Sequence, residues 1–278
     1  MTLRNALAAA AGQLAEASDT PRLDAELLAA HALGCTREAL LLAGLDGPVP
    51  TALAGLLARR LRGEPLAYIT GTRDFWTISL AVGPGVLVPR PDSETLIEAA
   101  VARFGKAGPA TVLDLGTGSG ALLLAALDQW PNAQGLGVDR SEAALAIARD
   151  NAARLGLSGR AQFRCGDWAA GIDARFDLLL CNPPYIEVGA CLPREVAGYE
   201  PAGALYAGAD GLDDYRRLAP VTAGLLAPAG LALFEIGATQ GESAAAIFRA
   251  EGFTPRLIRD LGNRDRCLAV DALPGSGP

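Results

Sequence analysis

From about residue 89 onward, short apolar runs alternate with segments of helical periodicity, and that alternation leaves few architectures open. The runs are Thr111–Leu115, Gln134–Asp139, Ala161–Cys165, Phe176–Cys181, residues 231–236, Arg256–Arg259 and residues 267–270. Strands that read as near-continuous apolar stretches are buried on both faces, which requires helices above and below the sheet. The pattern predicts an α/β fold with a doubly wound, mostly parallel sheet of seven strands and ligands at the carboxyl ends of those strands. Residues 1 to about 75 read instead as short helices. Thr20-Pro21 is a start signal, Leu23, Leu27 and Leu28 form one apolar stripe, and Leu53, Leu56, Leu57 and Leu61 form another. Residues 75–88 alternate as strands do, with Gly83-Pro84-Gly85 as the turn. The expected layout is a helical domain over 1–75, a connecting hairpin over 76–88 and an α/β domain over 89–278, ending in a disordered tail over 273–278.

Two strand ends carry chemistry. Asp114-Leu115-Gly116-Thr117-Gly118-Ser119-Gly120 closes the first run, and Gly116 and Gly118 allow the backbone to approach a ligand at the start of a helix expected near Ser119. The spacing also fits G-x-G-x-x-A through Ala121, with Asp139 about 20 residues on, which is the dinucleotide pattern. A nicotinamide enzyme is therefore a candidate on this segment alone. Against it, Asp114 sits badly beside a pyrophosphate and well beside an ammonium group. S-adenosylmethionine fits: its ammonium balanced near Asp114, its ribose hydroxyls held by Asp139, and its adenine packed against Trp168 beside Asp167. Gly116, Thr117, Gly118, Ser119 and Gly120 would form the cradle.

The second strand end is Asn182-Pro183-Pro184-Tyr185, directly after Phe176–Cys181. An isolated Asn-Pro-Pro is an ordinary turn, but after a buried strand its prolines stiffen a loop whose carbonyls are free to aim. Such a loop suits methyl transfer to a planar nitrogen. The lone pair of a carboxamide or ring amino group is delocalised, on a scale set by the amide rotation barrier of about 18–20 kcal/mol. An enzyme must hold the NH2 so that the lone pair points at an electrophilic methyl. The side-chain oxygen of Asn182 and the main-chain oxygen of Pro183 can each accept one N–H, and Tyr185 can stack on the acceptor plane, with Pro184 completing the wall. No strong base is needed, because the nitrogen becomes acidic only after it attacks.

Composition narrows the classes. The 278 residues carry 24 basic and 31 acidic side chains, a net charge of −7, so no strong non-specific pull toward nucleic acid is expected. Five cysteines without a Cys-x-x-Cys pair and a single histidine, His31, exclude a zinc cluster and a histidine-based triad. The longest uncharged run, 218–234, is broken by Pro220, Gly224, Pro228 and Gly230 and reads as a helix end, a turn and a strand rather than a membrane span. No export signal stands out in the Ala-rich start, and a cytoplasmic location is expected.

Beyond these motifs the chain contains Gly63-Glu64-Pro65-Leu66-Ala67-Tyr68-Ile69-Thr70-Gly71, Pro89-Arg90-Pro91-Asp92-Ser93-Glu94, Tyr199-Glu200-Pro201 and Phe234-Glu235-Ile236-Gly237 with Gln240. With these it resembles the peptide chain release factor glutamine methyltransferases over nearly its whole length. The resemblance implies a class I S-adenosylmethionine-dependent enzyme with an N-terminal helical domain that helps dock a class 1 release factor. It further implies methylation of the glutamine in the Gly-Gly-Gln motif of that factor by a monomer. Cofactor contacts would fall on the glycine segment, Asp139 and Trp168, and the glutamine would be held by Asn182, Pro183, Pro184 and Tyr185. Arg90, Glu94 and Glu200 would shape the rim or stabilise loops. Two other readings stay open: an adenine amino methyltransferase acting on DNA or RNA, which shares Asn-Pro-Pro-Tyr, and a non-catalytic translation-factor binding protein on the same fold.

Overall fold

A computed structural model describes residues 2–273. In chain order the elements begin with helices α1 (Leu3–Leu14), α2 (Pro21–Leu33), α3 (Arg37–Ala43), α4 (Leu53–Leu61) and α5 (Leu66–Thr70). Strands β1 (Thr72–Phe75) and β2 (Ile78–Ala81) follow, then α6 (Glu94–Phe104), β3 (Thr111–Leu115), α7 (Ala121–Gln129), β4 (Gln134–Asp139), α8 (Glu142–Arg154), β5 (Ala161–Cys165) and β6 (Phe176–Cys181). The chain closes with α9 (Arg194–Ala197), α10 (Asp213–Leu225), β7 (Leu226–Glu235), α11 (Gly241–Ala250), β8 (Arg256–Arg259) and β9 (Asp265–Asp271). Contacts divide it into two units, Met1–Thr72 with Leu192–Glu200 and Arg73–Cys191 with Pro201–Pro278.

The helical unit is built on local signals. Thr2 and Thr36 cap α1 and α3 by accepting from the amides of Asn5 and Ala39, Pro21 opens α2, and Gly34 ends it in the left-handed conformation at φ 66°. Leu3, Leu7, Leu14, Leu28, Leu40 and Leu53 form its core, whereas Leu23 and Leu61, expected on the two apolar stripes, are exposed. Leu192–Glu200 falls within the stretch that the sequence assigned to the α/β domain, yet it packs in this unit. Its Glu195 takes one arm of the buried Arg60 at 2.5 Å, and Asp24 takes another at 2.8 Å.

In the larger unit seven strands lie in the order β5-β4-β3-β6-β7-β9-β8. Strands β3 to β7 pair in parallel, and β9 runs antiparallel between β7 and β8. Alternate side chains of β6 face opposite layers: Leu178 and Leu180 join a core with Leu96, Leu123 and Leu127, while Leu179 and Cys181 join one with Tyr215, Phe234 and Phe248. All four are fully buried, which is why the run is apolar throughout; each leucine so buried contributes about 1.5–3 kcal/mol.

Several expectations are corrected. The hairpin lies at β1 and β2, and its turn is Trp76-Thr77, with Trp76 at φ 54°; Gly83-Pro84-Gly85 belongs to the loop that follows. The strand expected from residue 231 begins at Leu226. Between its pairings with Phe176 and Leu178 the register shifts, with Ala229 at φ 63°, so the expected turn is an irregularity inside β7. Of the expected tail, Leu273 packs against the second core and 274–278 lie outside the described residues.

Candidate active site

The chain leaves β3 toward β4 on one side of the sheet and later returns to place β6 on the other side. Such a reversal opens a crevice at the carboxyl ends of the central strands. The cavity there is lined by Asp114, Gly116, Thr117, Gly118, Ser119, Asp139, Asp167, Trp168, Asn182 and Pro184. Of the residues singled out in the sequence, Gly120, Pro183, Tyr185 and the rim candidates Arg90, Glu94 and Glu200 do not line it.

Asp114 is 1% exposed. Its Oδ2 accepts from the Thr117 hydroxyl at 2.6 Å and the Leu123 amide at 3.3 Å, while Oδ1 is buried without a partner. Burial pushes its pKa up to about 7. An orphaned carboxylate oxygen beside a cavity suits a cationic ligand group and repels a phosphate. The glycine turn next to it depends on left-handed backbone: Gly116 has φ +75°, and a Cβ there would meet the Trp168 ring at 3.2 Å. Gly120, at φ +85°, caps α7 one residue later than the start expected near Ser119. Across the cavity Asp139 accepts from the amides of Gly118 and Ser141, each at 2.9 Å, so both oxygens are aimed and retain lone pairs for hydroxyl donors. Trp168, at φ 50°, is fixed by donating its indole N–H to Asp214 at 3.2 Å. Asp167 is tied outward by Arg217 at 2.6 Å.

The Asn-Pro-Pro-Tyr turn is held from beneath. Asn182 donates from Nδ2 to the Ser93 hydroxyl at 3.3 Å, and Tyr185 donates its hydroxyl to Glu235 at 3.2 Å. Gln240 donates to the main-chain oxygen of Tyr185 at 2.9 Å. The Tyr185 ring is therefore an anchor under the turn rather than a platform at the cavity. Glu235 is 1% exposed, and burial raises its pKa to about 7. Glu94 accepts the Trp76 amide at 2.9 Å and so fixes the hairpin turn, and Glu200 is a buried residue of the helical unit. Ser93, Glu235 and Asp214 escaped sequence reasoning as site residues. The first two stand inside quoted motifs, but no local pattern tells that the Ser93 side chain meets Asn182 and that of Glu235 meets Tyr185. Among the described residues no acidic, histidine or cysteine group is arranged to hold a metal.

This sheet order, with its acidic and glycine-rich strand ends, defines a class I S-adenosylmethionine-dependent methyltransferase, and residues 108–207 match the family described as a methyltransferase domain. The fold is shared with a methyltransferase from Pyrococcus furiosus (17% identity, TM-score 0.54, covering 79% of this chain and all, 100%, of that one). It is shared too with the T. thermophilus 16S rRNA N2 G1207 methyltransferase (22%, TM-score 0.52, 73% and 50%). Residues 5–71 match the PrmC N-terminal domain. The release factor glutamine methyltransferase of Rhodospirillum rubrum is 44% identical over 94% of this chain and 86% of its own, and that of Caulobacter vibrioides 43% identical over 96% of each. The chain belongs to the release factor glutamine methyltransferase family.

Proposed function

We propose that this chain, acting as a cytoplasmic monomer, methylates the side-chain amide nitrogen of the glutamine in the Gly-Gly-Gln motif of class 1 translation release factors. The observation that carries the reading is the orientation of Asn182. Its Nδ2 is committed to Ser93, which leaves its acceptor end for a ligand in the cavity that Asn182 lines.

The residues present fit the cofactor on two observations, the orphaned Oδ1 of Asp114 and the space that a side chain at Gly116 would fill. When bound, S-adenosylmethionine supplies the electrophilic methyl group. Asp114 would balance the ammonium of its amino acid part, Asp139 would accept from the ribose hydroxyls, and Trp168 would pack on the adenine. Asn182 Oδ1, which lines the cavity, accepts one N–H of the substrate amide, and the Pro183 main-chain oxygen, outside that lining, would have to reach the other. As the nitrogen takes on positive charge these bonds strengthen, so they act on the transition state more than on the ground state. Tyr185 serves by anchoring the turn, and the proton released after attack passes to solvent. The relatives' names support a release factor as the partner, and the chain's charge of −7 argues against a nucleic-acid substrate. No helix among the described residues is long and apolar enough to cross a membrane, in keeping with the location proposed.

The test is incubation with isotope-labelled S-adenosylmethionine and a mixture of purified release factor and duplex DNA, the label being located by mass spectrometry. The expected result is label on the glutamine of Gly-Gly-Gln; label on DNA, or none on the factor, overturns the reading.

A further inference from the structure

Beyond the Asn-Pro-Pro-Tyr turn the chain comes back to the cavity: Pro201, Gly203 and Ala204 line it, so the Tyr-Glu-Pro motif delivers its proline to the cavity wall. The two ends of this wall are held very differently. At the far end the chain is built in. Leu205 and Ala207 are buried, the Leu205 carbonyl accepts the Ile186 amide at 2.9 Å, and the Ala207 amide donates to the Ile186 carbonyl at 2.8 Å, directly after Tyr185. Residues 201–204 have no such support. Ala202–Ala204 is a single helical turn closed on itself, the Ala204 amide donating to the Pro201 carbonyl at 2.8 Å. Among the described residues, one hydrogen bond reaches 201–204 from outside 201–206: Arg140 donates from Nη2 to the Gly203 carbonyl at 2.7 Å.

The residue types on both sides suit this contact. Arg140 directly follows Asp139, whose carboxylate is fixed by the amides of Gly118 and Ser141, so the arginine starts from a rigid strand end. It is itself one of the residues lining the cavity, and its guanidinium gives the carbonyl a charged donor. At position 203 a Cβ would run into that guanidinium, and the nearest atoms it would meet all belong to Arg140. The backbone of Gly203 lies outside the left-handed region, so it is the close approach of the arginine, rather than the turn, that calls for glycine. We infer that Arg140 is a positioning residue of the cofactor site, which holds residues 201–204 in place as a wall of the cavity through the Gly203 carbonyl and so slows the escape of bound cofactor. The inference rests on the reading of this cavity as the S-adenosylmethionine site.

The experiment compares the full chain with its Arg140→Ala and Gly203→Ala variants and the pair. Hydrogen exchange over 201–207 is followed by mass spectrometry in the cofactor-free protein, and S-adenosylmethionine binding by calorimetry and stopped flow. Arg140→Ala should exchange faster over this segment and raise both Kd and the dissociation rate by about fivefold, the worth of one ordinary hydrogen bond. Gly203→Ala, whose methyl displaces the guanidinium, should do the same. The pair should bind no more weakly than Arg140→Ala alone, because a methyl at 203 meets nothing once the guanidinium is gone. An arginine that acts only by touching the cofactor leaves exchange in the free protein at the wild-type rate, and a merely structural one lowers the melting temperature without moving Kd. Either result, or losses that multiply in the pair, overturns the inference. Should thermal unfolding show Arg140→Ala to be misfolded, Gly203→Ala carries the same expectations for exchange and Kd by itself, and their absence is equally decisive. A wild-type chain that does not bind S-adenosylmethionine overturns the reading of the cavity itself, an outcome distinguishable from every variant result.

Discussion

The main-chain N–H of Gly118 donates to Oδ2 of Asp139 at 2.9 Å, joining the glycine turn after β3 to the end of β4 across 21 positions of sequence. The other oxygen accepts the Ser141 amide, so this carboxylate organises both the cradle and the start of α8.

Replacement of Asp139 by alanine therefore removes a ribose acceptor and frees the turn together. Cofactor affinity should fall by roughly 1.5–3 kcal/mol, the range for a hydrogen bond to a charged group. Asp139→Asn, which keeps one acceptor oxygen, should lose less. Calorimetric titration with S-adenosylmethionine measures both, and an unchanged Kd in Asp139→Ala removes Asp139 from the cofactor site.

Burial raises Asp114 and Glu235 to about 7 each, from unfolded values of 3.8 and 4.5. A raised carboxyl pKa means that the fold prefers the neutral form. The associated stability is complete below the unfolded values and is lost as pH rises through about 7. Between about pH 5 and 8 the melting temperature of the free protein should drop more steeply than that of an Asp114→Asn, Glu235→Gln double variant. Parallel curves in differential scanning calorimetry would show that neither group titrates in this window.

Gly116→Ala brings two costs at once. The left-handed backbone at φ +75° disfavours alanine by about 1–2 kcal/mol, and the new methyl lies 3.2 Å from the Trp168 ring. The ring must shift, so cofactor affinity should fall alongside stability. A variant that melts lower but binds S-adenosylmethionine as tightly as the wild type would separate the ring from the adenine site.

Arg60, 5% exposed, is shared between Asp24 of α2 and Glu195 of α9. Arg60→Ala leaves a buried carboxylate without its cation, a change of about 3–5 kcal/mol, and unties Leu192–Glu200 from the helical unit. Chemical denaturation should show the loss, and limited proteolysis should cut within 192–200 first. Equal protection of that segment in variant and wild type would mean that other contacts hold it.

Much of the site was legible because its signals are local. An apolar run ended by Asp114 and three glycines, and another ended by Asn182-Pro183-Pro184-Tyr185, each state a strand, its end and the kind of group presented there. Asp114, Gly116, Asp139, Trp168 and Asn182 line one cavity as those signals implied. Tyr185, expected as a stacking platform, is not among the residues lining the cavity, and its hydroxyl has a buried partner, Glu235, 50 positions away.

By itself, the sequence determined the seven strands, their mostly parallel pairing and the residues at their ends, since side-chain period, turn chemistry and the need to bury both faces act over a few residues. Only the tertiary structure decided that the hairpin turns at Trp76, that Leu192–Glu200 joins the helical unit, that Ser93 meets Asn182 and that Glu235 meets Tyr185. These depend on pairings across 89 or 135 positions, as between Asn182 and Ser93 or Arg60 and Glu195. No local period records them, because their energy comes from desolvated partners that only the finished fold brings within hydrogen-bond reach.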